Sequence, residues 1–306
     1  MGSGGFGELS LRALVGKGHR IICVVTQPDK RQNRGMRVES TPIKKAALEL
    51  GLPVYQPIDI NVPECVSYLK GLKPDVFVVI AYGQKLSQKI LDIPLIMPLN
   101  IHASLLPAYR GAAPINWAII RGEKVTGVTL MKVSLRMDAG PVILQKKVPI
   151  LDTDTAESLA AKLAVPAAEI LIEGIDKLAS GSCQLTVQDE SKASFASKLK
   201  KSDGLIDWNK PALEIVNLIR GCIPWPGAFT YYKGKLVKIH KVSVVSYAGK
   251  DTMTAGQIVH ISKEGIVVTT ARGSLLIEAL QMEGKRIISA AEFIAGYQVN
   301  VHDTLG

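Results

Sequence analysis

The sequence has few of the features that mark secreted or metal-binding proteins. Its 306 residues include only four cysteines, and these are far apart: Cys23, Cys65, Cys183 and Cys222. There is no Cys-x-x-Cys pair, and the five histidines do not cluster with the cysteines. This spacing argues against a disulfide framework and a structural zinc site, so we expect reduced, mostly buried thiols and no metal.

Long apolar runs are also missing. No stretch reaches the roughly 18 apolar residues that span a bilayer, and no basic segment followed by an apolar core opens the chain. The hydrophobic content of 47% is nevertheless enough for substantial cores, and the length favours two domains. We therefore expect a soluble, cytoplasmic protein that does not associate with membranes, and we expect a monomer.

Acidic residues are too few to balance the basic ones, and the formal net charge is +10. Between Lys192 and Lys241, ten basic residues stand against three acidic ones, so this segment holds seven of the ten excess charges. Such a surface favours a polyanionic partner, nucleic acid first, although a solvated, solubilising face explains it equally well. Lys200 and Lys201 lie in this segment.

A second basic cluster lies in QPDKRQNRGMRVESTP (27–42). Four cations lie within eight residues, and the only acidic residue of this segment before Glu39 is Asp29. The cations are Lys30, Arg31, Arg34 and Arg37. A loop of this composition at the edge of a sheet suits the binding of phosphates. A solvated loop is the equally simple alternative.

The order of patterns predicts the fold class. Short apolar runs at 19–26, 75–82 and 97–103 predict strands, and helical patterns lie between them. One helix is predicted to be capped by Thr41 with Pro42 as its first residue, and a longer helix is predicted over 155–178. Alternating strands and helices predict an α/β fold with a doubly wound, mostly parallel sheet.

The composition changes after this α/β region. Residues 1–182 are predicted to form one domain, and the Ser/Lys-rich residues 183–204 a linker. Beyond the linker, short strands separated by Gly and Lys-Gly turns predict a small antiparallel β domain, either a sandwich or a barrel, over 205–306.

The opening residues have the glycine spacing of a dinucleotide-binding turn, with Gly2, Gly4 and Gly7 in the order G-x-G-x-x-G. That turn needs a preceding strand and an acidic residue at the end of the second strand. Nothing but Met1 precedes the glycines, and Thr26-Gln27-Pro28 occupies the place of the acidic residue. We interpret the glycines as a strand-to-helix turn that binds no dinucleotide.

The residues best suited to chemistry lie in LNIHASLLPAYRGAAPINWAIIRGE (99–123). Asn100 and His102 are two apart on a predicted strand, so their side chains share one face. At the carboxyl end of a strand they are placed to donate hydrogen bonds to a developing oxyanion, each donor being worth about 10²–10³ in rate. A core histidine and a turn asparagine are the alternatives.

Two further candidates follow along the chain. The loop after the strand, SLLPAYRG, has an apolar floor and suits a flat ligand ring, unless it is an ordinary strand-to-helix connection. Asp138, in SLRMDAGPVI, could orient an imidazole and accept a proton through water, although by itself it is a typical turn residue. Spacing alone does not bring Asp138 to His102.

With these motifs, the chain resembles the methionyl-tRNA formyltransferases. The resemblance runs nearly end to end and rests on seven segments in the order of that family: TQPDK, GLPVYQP, VIAYGQ, NIHASLLP, RGAAPINWAI, GLIDW and IPWPGAF. The Asn-x-His…SLLP…Asp core alone is shared by the wider group of enzymes that use 10-formyltetrahydrofolate, so this core specifies chemistry better than substrate.

The resemblance implies a role for each candidate. Asn100, His102 and Asp138 match the catalytic residues, with Asn100 and His102 stabilising the oxyanion and Asp138 supporting His102 in proton transfer. The folate-binding residues would be Ser104, Leu105, Leu106, Pro107, Tyr82 and Gly83. The residues that bind the initiator methionyl-tRNA would be Lys30, Arg31, Arg34, Arg37, Lys200 and Lys201.

The resemblance also implies a Rossmann-like sheet, an OB-like C-terminal barrel and 10-formyltetrahydrofolate as the formyl donor. In the family a strand precedes the glycine turn, which aligns Met1 with the end of that strand, so we expect the cellular protein to be longer. Three other functions remain open at this point. They are formylation of a sugar nucleotide, RNA binding without catalysis and, on the opening glycines alone, NAD-dependent dehydrogenation.

Overall fold

A computed structural model describes residues 1–32, 37–246 and 254–306. Its α-helices are Glu8–Gly16 (α1), Pro42–Glu49 (α2), Pro63–Gly71 (α3), Gln88–Leu91 (α4), Pro114–Ile120 (α5), Ala156–Ala179 (α6), Ala212–Gly221 (α7) and Ala290–Gly296 (α8). Short 3₁₀ turns lie at Gly5–Gly7, Glu190–Lys192 and Lys201–Gly204. None of the helices in these ranges is both long and apolar enough to cross a membrane.

Most strands of the N-terminal part have two to four residues. They are Val24–Val25 (β1), Lys30–Gln32 (β2), Arg37–Glu39 (β3), Val54–Tyr55 (β4), Val76–Val79 (β5), Met97–His102 (β6), Arg110–Gly111 (β7), Val125–Lys132 (β8), Val142–Pro149 (β9) and Phe195–Ala196 (β10). Those of the C-terminal part are Phe229–Tyr232 (β11), Lys235–Val245 (β12), Ile258–Ile261 (β13), Ile266–Thr269 (β14), Ser274–Met282 (β15) and Ile288–Ser289 (β16).

The packing divides the chain into two compact units, each made of three segments. The first unit contains Met1–Pro114, Val125–Pro149 and Ala160–Ala196, and the second contains Ile115–Lys124, Ile150–Leu159 and Ser197–Gly306. In the first unit, β10 pairs in parallel with β7, with Phe195 opposite Arg110, although the two strands are far apart in the sequence. Part of the segment predicted as a linker therefore belongs to the sheet structure of the first unit.

The first unit has the α/β architecture that the sequence predicts. β1 pairs with β4 and β5 with β6, both in parallel, whereas β8 pairs antiparallel with β6 and with β9. The parallel part of the sheet therefore ends at β6, the strand that holds the predicted catalytic pair. Helix α2 begins as predicted, with Pro42 in its first turn and the Thr41 hydroxyl accepting a hydrogen bond from the Lys44 amide at 3.2 Å.

The first two residues lie between β1 and β5. The Gly2 amide donates to the Val25 carbonyl at 2.9 Å, and the Met1 amine donates to the Val78 carbonyl at 2.7 Å. A Cβ at Gly2 would stand 2.9 Å from the Ile80 carbonyl oxygen, so the close approach of these backbones requires glycine. Gly5–Gly7 then turns the chain into α1, which is the strand-to-helix turn that the glycines predict.

A largely apolar cavity of about 410 Å³ lies beside these two residues. It is lined by residues 19–25 and 74–78, among others. The strand predicted over 19–26 is reduced to Val24–Val25, since residues 19–23 line this cavity and no strand among the described residues pairs with them. A parallel strand needs hydrogen-bonding neighbours to form a ladder.

The second unit contains the predicted antiparallel β domain. Its strands follow the order β11-β12-β15-β14-β13, with β16 on β15, and all these pairings are antiparallel. Its core combines the inner faces of the strands with helices α7 and α8 and with Trp208, whose indole N–H donates to the Thr230 hydroxyl at 3.0 Å. The α/β fold with a smaller antiparallel β domain is thus confirmed.

Candidate active site

His102 is the last residue of β6 and is buried, with 6% of its surface exposed. Its Nε2 lies 2.9 Å from the carbonyl oxygen of Tyr109, and its Nδ1 lies 3.6 Å from Oδ2 of Asp138. Because a carbonyl oxygen only accepts, Nε2 has to be the nitrogen that donates. In the neutral ring, Nδ1 therefore presents its lone pair on the side of the Asp138 carboxylate.

Asp138 reaches His102 from the connection between β8 and β9. Its backbone has a positive φ of 50°, a conformation that aspartate adopts more readily than most residues. Its Oδ2 accepts a hydrogen bond from the Gly111 amide at 2.8 Å, which fixes the carboxylate beside the imidazole. The structure thus brings together two residues that spacing alone could not connect.

Asn100 lies two residues before His102 in β6, on the same face of the strand, and is half-buried. Within the described ranges its side-chain amide makes no hydrogen bond. The two N–H groups of this amide are therefore available to an oxygen atom that enters the site. A donor with no internal partner is suited to an oxyanion, since no protein hydrogen bond has to break before it binds.

The segment Ser104–Pro107 is fixed by hydrogen bonds that it makes with β8. The Thr129 hydroxyl donates to the Ser104 carbonyl at 2.6 Å and accepts from the Leu106 amide at 3.1 Å. The Ser104 hydroxyl itself is fully buried and donates to the Ala108 carbonyl at 2.6 Å. A ligand would therefore meet the backbone and apolar groups of this segment rather than the serine hydroxyl.

The two leucines of this segment have different surroundings. Leu106 is buried with 5% exposure, and its peptide bond to Pro107 is cis. Leu105 is half-buried and packs over Gly127 of β8. A Cβ at Gly127 would lie 2.5 Å from one of the Leu105 methyl groups, so a side chain at position 127 would displace Leu105.

The predicted folate-binding pair Tyr82–Gly83 lies at the end of the stretch that contains β5. The Tyr82 ring is only 2% exposed and packs in the core, and burial raises the pKa of its hydroxyl. The Tyr82 carbonyl accepts from the Ser3 hydroxyl and from the Gln27 amide, both at 3.0 Å. Gly83 has a φ of 83° and is exposed, so backbone is what this pair can offer to a ligand.

The predicted tRNA-binding residues fall in both units. In the first unit, β2 and β3 form an antiparallel hairpin in which Arg31 pairs with Val38, and Arg37 with Gln32. Lys30 is exposed, and its Nζ donates to the Gln27 side chain at 2.6 Å, while Arg34 lies outside the described residues. In the second unit, Lys200 and Lys201 are both exposed at a 3₁₀ turn.

The structure adds three residues that the sequence did not single out: Arg110, Gln188 and Glu190. Arg110 is 2% exposed, and its guanidinium donates to the side chains of Gln188 and Glu190. The bonds from Arg110 to Glu190, with a further one from Arg136, lower the pKa of Glu190 to about 2. A lone arginine in an apolar segment was the only signal in the sequence, because its partners are about eighty residues away.

Comparison with known proteins connects this geometry to a family. The family model described as formyl transferase matches residues 1–175, and that of the formyl transferase C-terminal domain matches residues 198–298. Over all 306 residues, the chain is 42% identical to the methionyl-tRNA formyltransferase of Geotalea uraniireducens strain Rf4, of which it covers 96%. The chain belongs to the methionyl-tRNA formyltransferase family. It is accordingly a formyl-transferring enzyme.

Solved structures related to this family share the fold. The N-formyltransferase from Helicobacter canadensis, in complex with folinic acid and dTDP-3-aminofucose, aligns with a TM-score of 0.68 at 18% identity, over 92% of this chain and 97% of that one. HypX from Aquifex aeolicus, in complex with tetrahydrofolic acid, aligns with a TM-score of 0.61 at 20% identity over 84% of this chain. The chain spans less than half of HypX, 44% of its length.

Among residues 1–32, 37–246 and 254–306, no three His, Cys, Asp or Glu side chains come together as a metal-binding group. The chemistry that the described site offers is that of one carboxamide, one imidazole and one carboxylate. These groups suit acyl transfer, in which an oxyanion forms and a proton moves.

Proposed function

We propose that the chain transfers the formyl group of 10-formyltetrahydrofolate to the α-amine of initiator methionyl-tRNA. The observation that carries this proposal is the juxtaposition, on β6, of two groups. One is the Asn100 amide, which has no hydrogen-bond partner among the described residues, and the other is an imidazole that lies 3.6 Å from the Asp138 carboxylate. The 42% identity to a methionyl-tRNA formyltransferase, over both domains, supports the substrate. The Helicobacter canadensis N-formyltransferase, whose structure contains dTDP-3-aminofucose, is only 18% identical.

The reaction forms a C–N bond between the amine and the formyl carbon and breaks the bond from that carbon to N10 of the folate. The formyl oxygen becomes negatively charged in the tetrahedral intermediate, and the N–H groups of Asn100 donate to it. The attacking amine loses one proton, and N10 gains one as tetrahydrofolate leaves. Atoms and charges therefore balance without a further reactant.

His102 and Asp138 move this proton. The neutral ring keeps its hydrogen on Nε2, bonded to the Tyr109 carbonyl at 2.9 Å, so Nδ1 is the nitrogen that can accept a proton from the amine. The imidazolium formed in this way is stabilised by the Asp138 carboxylate beside it. While the ring is protonated, Nδ1–H adds to the stabilisation of the oxyanion. The same Nδ1–H then returns the proton to N10.

The folate and the tRNA use different parts of the surface in this proposal. Ser104–Pro107 and Tyr82–Gly83 offer backbone groups and an apolar floor to the folate. Lys30, Arg31, Arg34 and Arg37 bind the acceptor end of the tRNA, and Lys200 and Lys201 bind its phosphates. In this proposal the chain works as a monomer in the cytoplasm.

The direct test is single-turnover transfer of labelled formyl from 10-formyltetrahydrofolate to initiator and to elongator methionyl-tRNA. We expect rapid transfer to the initiator, and the Asn100→Ala variant separates catalysis from binding. Transfer to dTDP-linked amino sugars instead of tRNA would replace the proposed function with a sugar formyltransferase. RNA binding without any formyl transfer would mean that the chain is an RNA-binding protein without catalytic activity.

The contribution of the second unit is tested with a Lys200→Ala/Lys201→Ala variant. We expect a raised KM for tRNA and a weaker dependence of KM on salt, by about one unit of log-log slope for each phosphate that is no longer bound. The KM for 10-formyltetrahydrofolate should stay the same. Lys17→Ala, at another exposed lysine, is the control, and an equal effect in it would show that the response is general electrostatics.

A further inference from the structure

Arg110 is a buried cation for which the proposed chemistry has no direct use. Its Nε and Nη2 donate to Oε1 of Gln188 at 3.1 and 2.8 Å. Its Nη1 and Nη2 donate to the two carboxylate oxygens of Glu190, each at 3.0 Å. A guanidinium is costly to bury, so four directed hydrogen bonds on a residue with 2% exposure indicate a built arrangement.

The arginine determines the orientation of the Gln188 amide. A guanidinium only donates, so Oε1 of Gln188 has to face it, and Nε2 has to face the opposite side. There, Nε2 donates to the backbone carbonyls of Asp138 at 2.8 Å and Gly140 at 2.7 Å. Gln188 is 6% exposed, and its one amide thus holds the backbone at Asp138 and again two residues further on, at Gly140.

The same stretch of chain holds Asp138 a second time. The Gly111 amide, next to Arg110, donates to Oδ2 of Asp138 at 2.8 Å. A closed ring therefore runs from the Asp138 carboxylate through Gly111 and the Arg110 side chain to Gln188, and back to the Asp138 carbonyl. We propose that Arg110 and Gln188 are positioning residues that set the Asp138 carboxylate against His102. This inference rests on the proposed function for its kinetic part.

The turn at Asp138 needs such a clamp for two reasons. Asp138 has a φ of 50°, and a Cβ at Gly140 would stand 1.8 Å from the Lys132 carbonyl oxygen, so the backbone there is both strained and tightly placed. The carboxylate also lies 3.6 Å from Nδ1, beyond ordinary hydrogen-bond length, so its stabilisation of the imidazolium depends on a small approach. A misplacement of about 1 Å costs about 10²-fold in rate.

Gln188→Glu is the sharpest test because it keeps the shape of the side chain and its acceptor for Arg110. It removes the two N–H donors and turns a carboxylate oxygen toward the carbonyls of Asp138 and Gly140. We expect the single-turnover rate at saturating substrates to fall by about 10-fold to 10²-fold. The KM values for tRNA and folate should change by less than about twofold, since nothing that touches either substrate is altered.

A second measurement does not depend on formyl transfer. In protein labelled with ¹⁵N at glycine, hydrogen exchange of the Gly111 amide reports its bond to the Asp138 carboxylate. We expect this exchange to accelerate in Gln188→Glu and to stay unchanged in Lys192→Ala, a control three-quarters exposed on the same segment. If the wild type fails to formylate tRNA but the exchange responds, the proposed function falls while the structural clamp stands.

A milder variant covers the case in which Gln188→Glu does not fold. Glu190→Gln leaves Gln188 intact and weakens the hold of residue 190, which is half exposed, on the guanidinium groups of Arg110 and Arg136. We expect both readouts to move in the same direction as for Gln188→Glu, by about threefold in rate, or half a unit of log rate. An unchanged rate and unchanged Gly111 exchange in the folded variants would overturn the positioning role.

Discussion

The two units bury the same polar residue types but use them differently. Arg110 in the first unit and Arg220 in the second are 2% and 7% exposed. Arg220 donates to neutral acceptors, namely the Asn217 side chain and the carbonyls of Leu151 and Asp154, and burial lowers its pKa. Arg110 instead bonds a carboxylate, and its network ends on Asp138. The bonds of Arg220 tie helix α7 to a turn, whereas we propose that those of Arg110 orient the Asp138 carboxylate.

The largest expected effect separates two asparagines. Asn100 has no hydrogen-bond partner within the described part of the chain, whereas Asn217 accepts two hydrogen bonds from Arg220, at 3.1 and 2.9 Å. We expect Asn100→Ala to lower the single-turnover rate by about 10²–10³ without loss of stability, because in the proposed mechanism it removes only an oxyanion donor.

Asn217→Ala is the matched control for this prediction. It leaves Arg220 without its side-chain acceptor, so it should lower the free energy of unfolding by about 1–3 kcal/mol while the rate per folded molecule is unchanged. Rates and urea unfolding of both variants decide the matter. A loss of stability without a loss of rate in Asn100→Ala would mean that Asn100 is structural.

Two buried threonines sharpen the comparison. Thr129 in the first unit bonds three groups: the Ser104 carbonyl, the Leu106 amide and the Gln145 side chain. Thr230 in the second unit accepts one bond, from Trp208. We expect Thr129→Val to cost about 1–3 kcal/mol in the free energy of unfolding and to raise the KM for folate, since it releases Ser104–Pro107. Thr230→Val should lower the free energy of unfolding by about 1 kcal/mol and leave the KM for folate unchanged. Equal KM values for folate in both variants would contradict a specific role of Thr129 in holding Ser104–Pro107.

Replacing each arginine by lysine tests the comparison itself. Lysine keeps the charge but loses the planar fork that reaches two partners at once. Arg110→Lys should lower the rate by about tenfold with little change in KM, because Gln188 and Glu190 lose their shared partner. Arg220→Lys should lower only the free energy of unfolding, by about 1 kcal/mol. A rate loss in Arg220→Lys, measured per folded molecule, would show that the two arginines do not have separate roles.

The sequence predicts the local features of this molecule well. The order of strands and helices, the Thr41 cap, the helix that became α6 and the antiparallel β domain all follow from periodicity and turn chemistry. Asn100 and His102 could be paired because they lie on one strand, where every second side chain shares a face. These features depend on residues that are close in sequence.

What the sequence misses depends on interactions between distant segments. Spacing could not place Asp138 beside His102, and only the resemblance to a family indicated that they meet. Gln188 lies in a stretch whose Ser/Lys-rich composition predicts a linker, yet it is buried and bonds a residue 78 positions away. Tyr82, predicted to bind folate, has its ring in the core, because a strand end in a two-sided sheet is covered on both faces.

The smallest expected effect is the pH dependence that Glu190 gives to the first unit. Bonds from Arg110 and then Arg136 lower the pKa of Glu190 from its ordinary 4.5 to about 2, so its stabilising contribution is complete above pH 4.5 and is lost as the pH falls toward 2. The difference in unfolding free energy between wild type and Glu190→Gln should therefore be constant near neutral pH and shrink in this window. It should be small, since the carboxylate is half exposed. In an Arg136→Ala background the pH range over which this difference shrinks should narrow, because only Arg110 then bonds Glu190. If the difference in unfolding free energy grew as the pH fell, the pairing of Glu190 with the arginines would be refuted.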